Sequence, residues 1–567
     1  MPFNADNPLI VQSDRSILLE TNSPKYEAAR NALAPFAELV KSPEHIHTYR
    51  ITPLSLWNAA AAGHSLDEII RSLGEFSKYD VPENIAHEIR EYYGRYGQIK
   101  ITEDPQKRGL LLTCESEPLM AELKNQPGIK ELIDQQLNRT TLLFPFMKRG
   151  VVKQALIKIG YPAEDLAGYV DGDPFAFSLS ATARDGTPFT IRNYQKDSAD
   201  IFFASGSRKG GCGVIVLPCG AGKTIVGMAC MAKVGAKTLI LTTNITAAKQ
   251  WKRELLDKTS IKASDIGEYT GEVKEIKPIT IATYQIITYR KKKSEVFPHF
   301  SIFNDNKWGL IIYDEVHLLP APVFRITAQI QATRRLGLTA TLVREDGKEE
   351  EVFSLIGPKK YDAPWKDLES QGWIATADCT EIRIELPDHL KLEYATNENR
   401  KKIRLAAENP LKLDLVKHLL ELHEGDLILV IGQYLNQVHE IAERFAIPLI
   451  TGQTSTPERE KLYQEFRSGK IKRLVVSKVG NFAVDLPDAN VAIQVSGTFG
   501  SRQEEAQRLG RILRPKANNS VAHFYSLVTR NTREQDFAMN RQLFLTEQGY
   551  NYIITDSVMF VRKNPLG

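Results

Sequence analysis

Runs of apolar and polar residues predict small mixed modules at the N-terminus. Residues 9–11 and 17–19 are apolar and flank five polar residues, which predicts a hairpin. From residue 53 to about residue 93, apolar residues recur every three or four positions, which is typical of helices. Such a helical module could bind DNA or protein, and the sequence does not decide between them.

The next segment, from about residue 100 to residue 185, mixes both periodicities. Residues 99–102 and 110–114 are predicted strands, and residues 117–125 and 152–159 are predicted helices. No pattern of reactive side chains marks this segment. An accessory recognition domain and a structural spacer are therefore both open.

Long apolar runs alternate with helical segments through the rest of the chain. Runs without polar alternation are expected for strands that are buried on both faces of a parallel sheet. One core rarely grows beyond about 300 residues, so two series of such strands require two domains. We predict an α/β protein with two doubly wound parallel-sheet domains preceded by small α+β accessory domains. The strands lie at residues 214–217, 238–242, 279–283 and 308–313, and then at 427–432, 448–451 and 474–477.

A glycine-rich turn follows the first of these strands. Its two glycines let the backbone curl so that several N–H groups converge, and Lys223 and Thr224 open a helix whose N-terminus favours anions. In such a phosphate cradle Lys223 reaches the β- and γ-phosphates of a nucleotide and Thr224 ligates Mg²⁺. Leu217 stands where the full motif has its first glycine, so an ordinary strand-to-helix turn stays open. The cradle comprises Pro218, Gly220, Ala221, Gly222, Lys223 and Thr224.

Two adjacent carboxylates end another predicted buried strand, roughly 90 residues after Lys223. Asp314 is placed to join the magnesium shell and Glu315 to activate the attacking water. Charged residues at the end of a core strand could instead be merely solvated. The upstream phosphate cradle favours the catalytic interpretation.

Three polar residues near predicted strand or helix ends are candidate ligand contacts. Gln195 lies about 30 residues before the cradle, and its amide can donate and accept at once, as an adenine edge requires. An exposed helix start is the alternative. Thr243 and Thr283 follow or end strands, where hydroxyls can bind a nucleic-acid backbone or simply cap the next helix.

Composition excludes several classes of protein. The net charge is +4, so any nucleic-acid contact must come from a local groove rather than from a uniformly basic surface. The five cysteines form no C-x-x-C pair, which argues against a disulfide framework or a zinc site. With no targeting segment or bilayer-spanning run in the sequence, we predict a cytoplasmic protein, nucleoid-associated if prokaryotic, without a membrane partner.

Four motifs in order resemble those of superfamily 2 helicases. They are the cradle, Asp-Glu-Val-His at residues 314–317, Thr-Ala-Thr at 339–341 and Gln-Arg-Leu-Gly-Arg at 507–511. In detail, Leu-Gly-Leu-Thr-Ala-Thr-Leu-Val-Arg-Glu-Asp at residues 336–346 closely resembles the XPB DNA repair helicases. The likeness extends over nearly the whole chain, from residue 8 to the His-Phe-Tyr-Ser-Leu-Val stretch at 523–528.

The resemblance implies RecA-like motor domains that use ATP and Mg²⁺ to unwind DNA with 3' to 5' polarity. It also implies a damage-recognition-like domain before the motor and a catalytic role for His317. Arg344, Glu345 and Asp346 would form the element associated with strand separation, although alone they would suggest a charged turn. The domains would cover residues 1–99 (accessory module), 100–186 (damage-recognition-like), 187–385 (first RecA-like), 386–410 (thumb-like insertion) and 411–567 (second RecA-like).

The second motor domain is expected to contribute arginines to the nucleotide site. Arg511 and Arg514 are three residues apart on a predicted helix, and arginines so placed can stabilise charge on the transferring phosphate. A salt-bridged surface helix would explain the spacing equally well. The family likeness adds Gln507 as a nucleotide contact. One departure is Asn481, which stands where many relatives have aspartate, and it leaves that acid's usual contact in doubt.

A compact basic cluster interrupts the second α/β series. It could grip DNA phosphates, with affinity that falls steeply as salt rises. A solvated helix face is the usual meaning of such a run, but the family places a basic thumb nearby, which favours DNA. The cluster comprises Arg400, Lys401, Lys402 and Arg404.

Two functions are consistent with these motifs. The first is an ATP-dependent 3'-5' DNA helicase or translocase that acts in DNA repair on single-stranded, forked or damaged DNA, with a nuclease or repair-complex partner. The second is an ATP-gated scaffold that distorts duplex DNA, or a duplex translocase, that recruits a nuclease or transcription factor without processive unwinding. The carboxylates and arginines favour turnover but do not separate unwinding from translocation.

Overall fold

The protein is described by a computed structural model that covers residues 4–41, 45–207, 209–218, 220–291, 297–331, 333–340, 349–362, 368, 377–477, 489–497, 521–547 and 551–565. The described residues divide into two compact units. One takes those within 1–38, 49–217 and 222–363, and the other takes those within 39–48, 218–221 and 364–567.

The N-terminal module begins with the predicted hairpin, in which β1 pairs antiparallel with β2. The predicted helical stretch is three helices, because capping boxes at Thr52 and Ser65 start two of them and Gly63, at φ 93°, ends the first. The sheet order is β1-β2-β4-β3. The elements are β1 (Leu9–Val11), β2 (Ser16–Glu20), α1 (Tyr26–Leu33), β3 (Glu38–Lys41), β4 (Ile46–Arg50), α2 (Pro53–Ala62), α3 (Leu66–Phe76) and α4 (Glu83–Arg95).

A second small sheet, in the order β7-β8-β6-β5-β9, follows. Its core is formed by alternate residues of β5 and β6 packed against the apolar faces of α5 and α7. The predicted strands and helices of this segment are confirmed. The elements are β5 (Ile99–Glu103), β6 (Leu110–Cys114), α5 (Glu117–Asn125), α6 (Pro127–Lys130), β7 (Gln135–Asn138), β8 (Thr141–Phe144), α7 (Arg149–Lys158) and β9 (Ala163–Asp165).

The first parallel sheet has seven strands in the order β12-β13-β11-β14-β15-β10-β16. All five residues of β10, β11 and β13 are buried, which explains why these strands lack polar alternation. The elements are α8 (Asn193–Phe203), β10 (Cys212–Val216), α9 (Lys223–Val234), β11 (Thr238–Thr242), α10 (Ile245–Lys258), β12 (Ile266–Tyr269), β13 (Ile279–Thr283), α11 (Tyr284–Ile287), α12 (Ser301–Asn304), β14 (Leu310–Asp314), α13 (Ala321–Gln329), β15 (Arg334–Thr339), α14 (Glu349–Leu355) and β16 (Lys359–Asp362).

The second parallel sheet also has seven strands, in the order β19-β20-β18-β21-β22-β17-β23. The predicted fold class is thus confirmed, with two parallel α/β sheets after small α+β modules. The elements are β17 (Ala377–Ile384), α15 (Asp388–Thr396), α16 (Asn399–Ala407), α17 (Leu411–Leu422), β18 (Ile428–Gly432), α18 (Leu435–Arg444), β19 (Leu449–Ile450), α19 (Thr456–Arg467), β20 (Arg473–Ser477), β21 (Val491–Gln494), β22 (Ala522–Thr529), α20 (Arg533–Glu547), β23 (Asn551–Asp556) and α21 (Ser557–Lys563).

Within the part of the chain that the structure describes, every helix is too short or too polar to cross a membrane. The described cysteines, Cys114, Cys212, Cys230 and Cys379, are buried.

Candidate nucleotide site

The glycine-rich turn connects β10 to the N-terminus of α9. The N–H of Leu217 donates to the Thr339 carbonyl at 2.9 Å, which ties the start of the turn to the end of the neighbouring strand β15. Gly220 and Gly222 both have φ of 82°, a left-handed conformation that side chains rarely adopt. Gly222 is the N-cap of α9, so Lys223 is the first helical residue. The turn therefore has the backbone shape and the helix N-terminus of an anion site.

Gln195 packs directly against this turn. A Cβ atom at Gly222 would lie 2.5 Å from Gln195 Nε2, so a side chain there would displace the Gln195 amide. The Gln195 side chain is buried, its Oε1 accepts from the Arg192 N–H at 3.0 Å, and its Nε2 lies 3.4 Å from the Tyr194 hydroxyl. The structure therefore places the predicted base-binding amide beside the cradle, where it also caps the start of α8.

Lys223 and Glu315 form an ion pair beside the turn. Their Nζ and Oε1 atoms are 2.9 Å apart, and the side chains are 13% and 15% exposed. Glu315 adopts φ of 51°, which ends β14 abruptly and turns the residue away from the strand direction. Strained backbone of this kind is concentrated at functional sites. The predicted phosphate lysine and the predicted base are thus brought together, although 92 positions separate them.

Asp314 is the half-buried last residue of β14. Its Oδ2 accepts from Trp251 Nε1 at 2.9 Å, and its carbonyl accepts from the Tyr284 hydroxyl at 2.9 Å. Burial and the adjacent Glu315 carboxylate raise the pKa of Asp314 to about 6. A bound cation would offset both effects, so the donor set suits a metal ion. Sequence reasoning missed Trp251, because no local signal shows that an indole 63 positions upstream contacts a carboxylate.

The residues present fit magnesium better than a cation that needs a full protein cage. No three His, Cys, Asp or Glu side chains converge as a metal cluster within the described residues. Magnesium is usually held by one or two protein oxygens together with phosphate and water. Asp314 and the partly exposed Thr224 hydroxyl at the start of α9 could supply the protein oxygens.

His317 connects the ends of two adjacent strands. Its Nδ1 shares a hydrogen bond of 2.5 Å with Thr339 Oγ1, the last residue of β15, and lies 3.5 Å from Glu315 Oε2. The imidazole is buried, so this geometry suits it to orient Glu315 rather than to meet a ligand directly. Its catalytic role stays a prediction.

The two threonines predicted to contact DNA have different surroundings. Thr283 is 1% exposed and its hydroxyl caps α11 by accepting from the Ile286 N–H at 3.4 Å, which is the capping alternative. Thr243 is half-buried just after β11, and its hydroxyl accepts from the Asn244 side chain at 3.3 Å. DNA contact at either position stays a prediction.

The basic cluster lies on α16. Arg400 and Lys401 are exposed, Arg404 pairs with Glu408 at 2.9 Å, and the Lys402 ammonium lies 5.8 Å from the Tyr394 ring centroid. The helix presents a basic surface that is consistent with both interpretations, phosphate contact and solvated face.

Seven other predicted or noted positions lie outside the described residues: Arg344, Glu345, Asp346, Asn481, Gln507, Arg511 and Arg514.

Known families match most of the chain. Residues 368–565 match the family described as ERCC3/RAD25/XPB C-terminal helicase, and residues 188–344 match type III restriction enzyme, res subunit. Residues 9–138 match a family described as helicase conserved C-terminal domain, although they fold upstream of both parallel sheets.

Individual relatives are similar over almost the whole of this chain. The DNA 3'-5' helicase XPB of Kineococcus radiotolerans is 53% identical, with 97% of each chain covered. The Mycobacterium tuberculosis protein of the same name is also 53% identical, covering 97% of this chain and 98% of that protein. The Saccharomyces cerevisiae general transcription and DNA repair factor IIH helicase/translocase subunit XPB/SSL2 is 33% identical, with 97% of this chain and 72% of that protein covered.

Proposed function

The chain belongs to the XPB family of DNA 3'-5' helicases. From that premise we propose that it hydrolyses ATP with Mg²⁺ at the site formed by the turn, Lys223, Asp314 and Glu315, and that hydrolysis drives strand separation in DNA repair. The observation that carries the proposal is the Lys223–Glu315 pair at 2.9 Å between a phosphate-type turn and the end of β14.

The Lys223–Glu315 ion pair belongs to the state without nucleotide and breaks in the state with ATP bound. When ATP enters, the Lys223 ammonium transfers from the Glu315 carboxylate to the β- and γ-phosphates, which frees Glu315 to accept a proton from the attacking water. Thr224 and Asp314 would hold magnesium, which neutralises phosphate charge when bound. His317 keeps the Glu315 carboxylate oriented through its contact at 3.5 Å.

The second unit contributes to the same cycle in this proposal. Gln507, Arg511 and Arg514 match the family motif in sequence and would bind the phosphates. Arginines of this type typically contribute about 10³-fold or more to turnover. Their replacement by alanine is therefore expected to abolish ATPase activity while nucleotide still binds through Lys223.

DNA contacts are proposed on both units. Thr243 and Thr283 would meet the DNA backbone on the first unit, the Arg344–Glu345–Asp346 element would aid strand separation, and α16 would grip phosphates on the second. The substrate would be single-stranded, forked or damaged duplex DNA. We further propose a nuclease or repair-complex partner, because the Saccharomyces cerevisiae relative is named as a subunit of a general transcription and DNA repair factor. We also propose action in the cytoplasm, nucleoid-associated if prokaryotic.

Steady-state ATPase assays with and without single-stranded DNA test the proposal. Lys223→Ala should remove DNA-stimulated turnover, whereas Lys237→Ala, which breaks a surface pair with Asp173, should leave it intact. A forked duplex with a 3' tail should release its strand only with ATP. Intact turnover in Lys223→Ala would refute the site, and hydrolysis without strand release would favour a scaffold or duplex translocase.

A further inference from the structure

Trp251 contacts two parts of the proposed nucleotide site, the Asp314 carboxylate and helix α9. It is a buried residue of α10, and its indole Nε1 donates to Asp314 Oδ2 at 2.9 Å. The indole therefore holds one oxygen of the Asp314 carboxylate, Oδ2, and does not hold the other, Oδ1. Groups that orient a metal ligand in this way typically change metal affinity by about 10- to 100-fold.

The same ring also packs against the helix that opens at the phosphate turn. A Cβ atom at Gly227 would lie 2.5 Å from Trp251 Cη2, so the indole rests directly on the α9 backbone one turn after Lys223 and Thr224. If the indole moves, α9 must move with it, because close-packed interiors transmit displacement. Trp251 thus contacts both structural parts of the magnesium site.

Helix α10 begins next to Thr243, the predicted DNA contact that follows β11. The helix begins at Ile245, directly after Thr243 and the N-cap Asn244, whose side chain accepts from the Ala247 N–H at 2.9 Å. Residue 251 lies six positions into the helix, roughly 9 Å from its start at 1.5 Å per residue. One rigid helix therefore has a predicted DNA contact at its N-terminus and the Asp314 contact near its middle.

We propose that Trp251 is a positioning residue that orients the Asp314 carboxylate for magnesium and conveys DNA binding at the start of α10 to the nucleotide site. The inference rests on the proposed function and adds to it the route by which DNA stimulates hydrolysis. Coupling of this kind is reciprocal, so magnesium–nucleotide must change DNA affinity by the same factor that DNA changes nucleotide affinity.

Two tryptophan variants of the full chain provide a matched test. Trp251→Phe removes the N–H donor, and Trp308→Phe removes a second buried indole that donates to the Ile302 carbonyl at 2.7 Å, away from Asp314. The first measurement is the Mg²⁺ concentration that half-saturates ADP binding in calorimetry. The second is single-stranded oligonucleotide affinity with and without magnesium and a non-hydrolysable ATP analogue.

Trp251→Phe should require about tenfold more Mg²⁺ and lose most of the coupling between the two ligands, while Trp308→Phe retains both. Equal behaviour of the two variants would overturn the proposal. Should Trp251→Phe fold poorly, the benzothiophene isostere of tryptophan at position 251 keeps the ring and removes the donor, and the same outcomes apply. If DNA does not stimulate the unaltered protein, the proposed function fails, whereas the Mg²⁺ titration still decides the role of Trp251.

Discussion

Each parallel sheet carries a lysine–glutamate ion pair at the carboxyl ends of its strands, but the two pairs have opposite surroundings. In the first unit, Lys223 and Glu315 are 13% and 15% exposed and lie beside a glycine-rich turn. In the second, Lys412 and Glu534 are 1% and 5% exposed. The distances are nearly equal, at 2.9 and 2.8 Å, so distance does not separate them.

The difference lies in what else the charged groups contact. Lys412 Nζ donates to both Glu534 oxygens and to the Val495 carbonyl, and Glu534 also accepts from the Thr529 N–H at 2.8 Å. That pair joins α17, α20 and the ends of β21 and β22 into one core. The Lys223–Glu315 pair instead lies beside the glycine-rich turn, which is the proposed phosphate site. An ion pair that a ligand can separate is suited to a functional role. A fully buried ion pair, here called sealed, is suited to a structural role.

Glu315→Gln is expected to have the largest effect, because it removes the proposed base. Turnover should fall by about 10²- to 10⁴-fold while the melting temperature changes little, since the pair is partly exposed and the amide still accepts a hydrogen bond. Single-turnover ATP hydrolysis and thermal melting measure the two quantities. Normal turnover would show that Glu315 is as structural as Glu534.

Lys412→Met should have the opposite profile. It leaves the Glu534 carboxylate buried without its ammonium partner, which typically costs about 3–5 kcal/mol of unfolding free energy. Urea unfolding of the full chain measures the loss. Lys412→Met combined with Glu534→Gln should recover part of it, because no charge is then stranded. A neutral result for the single variant would mean that the second pair is not sealed.

A third cluster of buried charged side chains, in the first unit, tests whether buried ion pairs make the stability of the protein sensitive to acid. Arg149 and Lys153 lie 2.7 and 3.0 Å from the Asp165 carboxylate and hold its pKa well below the usual range despite burial. Because the folded pKa is lower than the unfolded one, this stabilisation is present above about pH 4 and is lost as pH falls further. The melting temperatures of wild type and Asp165→Asn should therefore differ at pH 7 and converge toward pH 3. A gap that does not narrow would contradict this linkage.

The smallest expected effect concerns the exposed charges on α16. If Arg400 and Lys401 contact phosphates, replacing both by alanine should reduce the slope of log affinity against log salt by about 1.4 for single-stranded DNA. Fluorescence anisotropy at several salt concentrations measures the slope. Lys417 lies on α17 and its side chain is 60% exposed. The control variant Lys417→Ala should leave the slope unchanged. An unaltered slope in the double variant would favour the solvated-face interpretation.

Local sequence was sufficient for elements whose apolar pattern is unambiguous. The strands at Thr238–Thr242 and Ile279–Thr283 and the helix at Glu117–Asn125 were predicted at their observed bounds. Buried strands of a parallel sheet are apolar at every position, and glycines mark the turn before Lys223, so neighbours along the chain contain the information. The motifs similarly selected Lys223 and Glu315, which the structure brings to 2.9 Å from each other.

Only the tertiary structure decided which charged groups meet and what surrounds them. The strand order β11-β14-β15-β10 brings Glu315 to Lys223 and His317 to Thr339, and helix packing brings Trp251 to Asp314. Lys412 and Glu534 have the same side-chain chemistry as Lys223 and Glu315. No local sequence pattern shows that the Lys412–Glu534 pair is fully buried. Desolvation and partner geometry depend on residues distant along the chain, so they exist only after the sheets have formed.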